Sequence, residues 1–269
     1  MWIFVDGRYQ FPLMATSTDN LVPFAINPAL DPSRLRTQYK AHRRLLVRDF
    51  LAPEGAAILH HHLSQELDWS LICGIDGEVA ELTADFRRQS GADEERGALR
   101  QVYESAGRQF SFAYENSGFV PESSTERQSD SIVLESFTRF VNSAEFVDFA
   151  RTVTGVREIA STEVQATAFR GGHFRMFGGG SIEYLGRKRL VASLSLTPQW
   201  ANAWGGKLLF PGFDGHIEHT HTPSFNALSL FDVRELHAIS MVAPLPGIAR
   251  YAVVSWLQTA GPASDVIQG

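Results

Sequence analysis

The chain of 269 residues has a single cysteine, Cys73. One thiol excludes a disulfide framework and any zinc site built on cysteines, and it fits a reducing compartment. Long apolar runs are missing too. None reaches the roughly 18 residues that a membrane-spanning helix needs. The opening MWIFVDGRYQ lacks the basic-then-apolar pattern of a secretory leader. Positive charge is short: 24 Lys and Arg against 30 Asp and Glu leave a net charge of -6. That balance argues against nucleic acid or an anionic membrane as a partner, since both call for a basic surface. A cytoplasmic protein is expected. Several catalytic signatures are absent as well. The stretch Gly171-Gly172-His173-Phe174-Arg175-Met176-Phe177-Gly178-Gly179-Gly180-Ser181 has no Gly-Lys-Ser/Thr ending, so it is not a P-loop. Glu183 stands where a dinucleotide fingerprint needs its third glycine. No Gly-x-Ser-x-Gly elbow occurs.

What is present is a chain able to bury a large core, with 44% hydrophobic and 11% aromatic residues and nine histidines. Helical patterning dominates the first half. Residues 31–46 read as a solvent-facing helix, followed by a short strand over 46–50. A helix is expected from Ala52-Pro53 to about Leu67, because proline suits the first turn. Asp6-Gly7 and Asp76-Gly77 mark tight hairpins, the second between strands 69–75 and 78–82. A long amphipathic helix is expected over 92–112, a mobile serine-rich loop over 121–131, and two helices over 131–142 and 143–153. From about residue 156 the texture changes to short strands punctuated by Gly, Pro and Asp-Gly: 162–169, 190–196, 206–210, 216–222, 227–231, 238–242 and 251–257. Helices first and strands afterwards predict an α+β protein. With no repeat and no linker, the expectation is a single domain over 1–269, with a helical and hairpin layer over 1–155 and a β core over 156–260.

The histidines differ in the faces they can share. His60, His61 and His62 are consecutive and point three ways around a helix, so they cannot converge on one ion; a solvated or partly packed face is expected, as for His42. His219 and His221 share one strand face and form a His-x-His pair, which either meets a metal or lies on an exposed strand beside Asp214-Gly215. His237 stands alone between two strands. Cys73, inside an apolar strand, reads as a buried structural thiol.

Taken together, the second half carries a more specific pattern. Its blocks are Phe169-Arg170-x-Gly172-His173-Phe174, Leu190 to Leu196, Trp204-Gly205-Gly206-x-Leu208, Pro223-x-Phe225-Asn226-x-Leu228-x-Leu230-Phe231, then His237, then Arg250-Tyr251-x-x-x-x-Trp256. In this order they resemble the prolyl-4-hydroxylase-like branch of the 2-oxoglutarate, iron(II)-dependent oxygenases, over residues 45–258. The resemblance implies a double-stranded β-helix core (jelly-roll, cupin-like) with an N-terminal helical layer. It also implies iron(II) and 2-oxoglutarate as cofactors and an oxidoreductase that hydroxylates or similarly oxidises a small molecule or peptide. By the same resemblance His237 matches the distal iron-ligating histidine, and Arg250, thirteen residues on, matches the arginine that grips the far carboxylate of 2-oxoglutarate. Ser195 falls where the family often has another cosubstrate contact.

The sequence departs from that pattern at one place. Gly178 and Gly180 stand where the family's His-x-Asp ligands belong, and His173 faces the wrong way along its strand to replace them. Three readings follow: an oxygenase with an atypical, incomplete triad; a descendant that binds a ligand without redox chemistry or works without metal; or a rebuilt three-histidine site from His219, His221 and His237. Asp232 and Glu235, near His237, are further candidate carboxylates. The substrate is expected against the N-terminal layer, with 121–131 as a lid. A homodimer is left open.

Overall fold

A computed structural model describes residues 3–5, 8–10, 22–117, 131–178, 187–245 and 247–259. The expected Gly180 position and the lid residues 121–130 lie outside the described residues. A small hairpin pairs β1 (Ile3–Val5) with β2 (Arg8–Gln10). Helix α1 (Pro32–His42) starts under an Asp31 cap that accepts from the Ser33 and Arg34 amides. It stops earlier than its pattern suggests, because Arg43 turns left-handed (φ 56°) and hands the chain to β3 (Arg44–Val47). Helix α2 (Pro53–His61) runs on into a π-helical turn, His62–Glu66. The hairpin of β4 (Ser70–Ile75) and β5 (Glu78–Leu82) closes at Asp76 and Gly77, both with positive φ as its two-residue turn requires.

The long helix expected over 92–112 is resolved differently. It is preceded by a separate α3 (Ala84–Ser90), and α4 (Ala92–Ala106) ends six residues early. A turn over 107–111 then leads into β6 (Phe112–Ser117), which pairs with β4 and with the first core strand. Non-local sheet pairing outweighs the local helical period there. Helices α5 (Ile132–Val141) and α6 (Ala144–Thr154) are capped by Ser131 and Ser143, whose hydroxyls accept amide hydrogen bonds.

The core strands are β7 (Ile159–Arg170), β8 (Phe174–Gly178), β9 (Lys188–Ser195), β10 (Leu208–Pro211), β11 (Ile217–His221), β12 (Ala227–Asp232), β13 (His237–Ile239) and β14 (Ala249–Thr259). They join β3, β4, β5 and β6 in one twelve-stranded antiparallel sheet, with the main order β11-β10-β13-β8-β6-β7-β14-β9-β12-β3. The sheet curls into a nearly closed barrel of jelly-roll type and, with the six helices, makes the α+β double-stranded β-helix that the sequence pattern implies. Strands from before residue 156 are integral to it.

Strand alternation sorts side chains between two apolar layers. One face of β7, β9, β12 and β14 presents Ala168, Leu194, Leu230 and Val253 to Leu59, Phe137, Phe146 and their neighbours on the helices. The opposite face points into the barrel, where Phe169, Val191, Phe210, Phe231 and Ile239 form a second cluster. A third, smaller layer packs Cys73, Ala113 and Phe174 against Val102 of α4.

Candidate functional site

The barrel interior is where the sequence-derived site residues meet. Strand β13 pairs antiparallel with β8, with His237 opposite Gly178 and Ile239 opposite Arg175, and a bulge between the two registers. The His237 imidazole shares a hydrogen bond between Nδ1 and the Glu235 carbonyl at 2.8 Å, and lies edge-on to Phe231 at 5.0 Å between centroids. Burial, helped by the nearby charge of Arg175, pushes its pKa down to about 4, so the ring is neutral at ordinary pH. Across the pair Gly178 offers no donor, and a Cβ there would fall 2.7 Å from Cε2 of Phe110. The Phe110 ring therefore stands beside the place a side chain would fill. Phe110 and Phe177 are both exposed, which puts His237 near the mouth of the barrel.

Arg250 lies deeper. It opens β14 opposite Phe169, and its guanidinium carbon sits 5.2 Å over that ring. The residue is 5% exposed, its Nε has no hydrogen-bond partner, and it forms no ion pair among the described residues. Burial alone draws its pKa down to about 10, still charged at neutral pH. Gly206 (φ 63°) lies close by: a Cβ there would come 3.4 Å from Cδ of Arg250 and nearer still to Trp200. Ser195 shares this interior face, opposite Ala252, and its hydroxyl accepts from the Ser224 amide at 3.1 Å. Asn116 pairs with Thr167 on the same face; it is 1% exposed, and neither of its amide atoms has a partner.

Arg175 was not singled out from the sequence. Its guanidinium donates to the His237 carbonyl at 3.4 Å and lies 5.4 Å over the Phe110 ring, with no carboxylate partner among the described residues. Burial lowers its pKa. One sign was readable: a lone charge inside the apolar strand run Phe174-Arg175-Met176-Phe177.

The other histidines are engaged elsewhere. Strand β10 separates β11 from β13, so His219 and His221 do not adjoin His237 in the sheet. His221 shares a hydrogen bond between Nδ1 and Ser229 Oγ at 2.9 Å, and burial pushes it down to about 4; His219 lies against His42 at 4.9 Å. His62 is buried between Glu66 and Ser131, whereas His60 packs on Phe225 and Tyr251. His173 is buried with Nδ1 accepting from the Arg170 amide. Asp232 is bound by Arg234, and Glu235 by Arg44. The Cys73 thiol is buried and pushed up to about 11 by that burial, unlike a reactive thiolate. Among the described residues, no three His, Cys, Asp or Glu side chains are placed to hold one metal ion.

Residues 164–258, the strands just described, match the family model of the 2OG-Fe(II) oxygenase superfamily. That stretch is similar to the core of the 2OG-Fe(II) oxygenase superfamily. Solved structures agree on the fold of the oxygenase-like barrel. A prolyl-4-hydroxylase from Pseudomonas putida aligns with a TM-score of 0.53 at 14% identity, over 86% of this chain and 100% of that one. A 2OG-Fe(II) oxygenase family oxidoreductase from Burkholderia pseudomallei gives 0.57 at 11%, over 88% and 95%. A prolyl hydroxylase from Trichoplax adhaerens, in complex with a hypoxia inducible factor oxygen degradation domain peptide fragment, gives 0.55 at 14%, over 85% and 89%. No curated protein sequence matches the chain.

The superfamily implies iron and 2-oxoglutarate. The described residues fit the two unequally. An anionic cosubstrate suits Arg250, a buried guanidinium with an unused Nε donor. A ferrous centre does not fit them: His237 faces a glycine, Phe110 stands beside that glycine, and a guanidinium rests on the His237 carbonyl.

Proposed function

We propose that this chain is an oxygenase-like oxidoreductase whose barrel receives 2-oxoglutarate, or a closely similar dicarboxylate, on Arg250. The observation that carries the proposal is the buried Arg250 guanidinium, which has no carboxylate partner among the described residues and an unbonded Nε. Burying a cation is costly unless it is paired, and a carboxylate lying in the guanidinium plane would take its free donors two at a time. Phe169 holds the guanidinium from one side, and Ser195 and Asn116 add neutral polar groups on the same interior face. Around them Val191, Phe210 and Phe231 exclude water, which strengthens each polar contact made inside. His237, if a metal is held, is the described residue that would hold it. The substrate class is a small molecule or a peptide; the Trichoplax neighbour carries a peptide. We further propose one structural unit working in a reducing cytoplasm, in keeping with the buried thiol of Cys73, either alone or as a homodimer.

A second reading is favoured by Gly178 facing His237: a carboxylate-binding protein of the same fold without redox turnover. Calorimetric titration of the full chain with 2-oxoglutarate, with and without manganese(II), followed by a succinate assay under iron(II) and air, separates the two. Binding with succinate formation supports the oxidoreductase. Binding without succinate supports the second reading, and absence of binding under every condition overturns both.

A further inference from the structure

Two arginines, not one, point into the barrel without a carboxylate partner among the described residues. Arg250 belongs to β14; Arg175 belongs to β8 and is paired with Ile239 and Phe112, both on the interior face. Between them stand two stacked rings, Tyr114 of β6 and Phe169 of β7, 5.3 Å apart and inclined by 16°. Arg250 caps the Phe169 end of this stack at 5.2 Å; Arg175 pairs with Phe112, two residues before Tyr114 on β6, and its guanidinium lies 5.4 Å over Phe110. The strand order β8-β6-β7-β14 thus sets guanidinium, phenol, phenyl and guanidinium on four successive strands. Arg175 has one described side-chain hydrogen bond, long at 3.4 Å, to the His237 carbonyl, which leaves most of its donors free. Each guanidinium is buried and each has its pKa lowered by that burial, so each is stabilised by a negative charge, and a ligand carrying two of them suits the pair. Arg175 also lies beside His237, where a divalent cation would have to stand, and a guanidinium there repels such a cation.

We infer that Arg175 and Arg250 together hold the two ends of a dicarboxylate without a metal ion, Arg250 taking the deep carboxylate and Arg175 the one near the mouth. This rests on the reading of Arg250 as a carboxylate receptor. The ligand class is a short aliphatic dicarboxylate of the 2-oxoglutarate or succinate type. Its chain lies along the Tyr114 and Phe169 rings, and Asn116, unpaired on the same face, suits an oxo or hydroxyl substituent.

The test is calorimetric titration of the full chain with 2-oxoglutarate, succinate and the monocarboxylate butyrate, each in the presence of EDTA and again with manganese(II). The expected result is 2-oxoglutarate and succinate binding that is unchanged by EDTA and clearly tighter than that of butyrate. Arg175→Met should weaken dicarboxylate binding by about tenfold or more and leave butyrate, held on Arg250, unaffected; Arg175→Lys should restore part of the loss. Dicarboxylate binding that needs manganese(II), or that is unchanged in Arg175→Met, overturns the inference while leaving Arg250 as a receptor. No dicarboxylate binding in either condition overturns the inference and the receptor reading together. Should Arg175→Met fail to fold, the EDTA comparison on the unaltered chain decides alone.

Discussion

His237 and Gly178 face each other across the β8–β13 pair, an imidazole opposite a residue with no side chain. A bulge separates this register from the Ile239–Arg175 register. The space in front of Gly178 is taken by Phe110, 2.7 Å from where a Cβ would lie. Gly178→Ala should therefore destabilise the fold by about 1–3 kcal/mol, and Phe110→Ala should relieve most of that cost in the double variant. Urea denaturation of the four-member cycle measures it. Additive effects would mean that the two residues do not compete for the same space. Metal uptake after Gly178→His with Gly180→Asp is expected only when Phe110 is also cut back.

Arg250 is charged, buried and without an ion-pair partner among the described residues, so function and stability should move in opposite directions when it is removed. Arg250→Leu should abolish measurable 2-oxoglutarate binding and raise stability by about 1 kcal/mol or more, because an uncompensated charge is replaced by apolar packing beside Phe169. Calorimetry and urea midpoints on the same preparation check both halves. A loss of stability would show that the guanidinium holds the fold together.

His237 and His221 both have pKa values pushed down to about 4 by burial, from an ordinary 6.5. Between those limits the unfolded chain binds protons that the folded chain does not, so stability falls as pH drops from about 6.5 toward 4 and levels off below. Urea midpoints at pH 7 and pH 4.5 should differ clearly in the unaltered chain and less in His221→Gln. If the variant loses as much on acidification, His221 is not one of the groups responsible.

Glu115 is a buried charge that, unlike Arg250, is paired. It is 1% exposed and accepts from Arg87 and Arg170, each at 2.7 Å, on the outer face of β6. Glu115→Ala should cost on the order of 3 kcal/mol by leaving two guanidinium groups without their shared acceptor. Because the pair lies outside the barrel, 2-oxoglutarate affinity should stay within a few-fold of normal where the variant remains folded. Thermal denaturation and calorimetry distinguish this structural role from a role in binding.

Much of the architecture was legible in local chemistry. Asp76-Gly77 announced its hairpin because both residues adopt positive φ, and the helical period over 131–142 and 143–153 matches α5 and α6. The β6 segment was not legible. Phe112 and Tyr114 fit the tail of a helical period as well as a strand, and only pairing with β4 and β7, remote in sequence, decides between them. His237 and Arg250 were identified by resemblance, but the aromatic surroundings that leave one neutral and the other unpaired had no local signature.

The sequence by itself determined the chemical inventory: one thiol, a net negative charge, a core of alternating strands behind capped helices, and no imidazole or carboxylate from Phe174 through Gly178. Tertiary structure decided what that inventory faces. The register of β8 on β13 set Gly178 against His237, and the order β8-β6-β7-β14 put Arg175 and Arg250 on the outer two of four successive strands whose inner two carry the stacked Tyr114 and Phe169. The physical reason is that side-chain direction along a strand is local, with a period of two, whereas register and strand neighbours are set by pairings between segments dozens of residues apart.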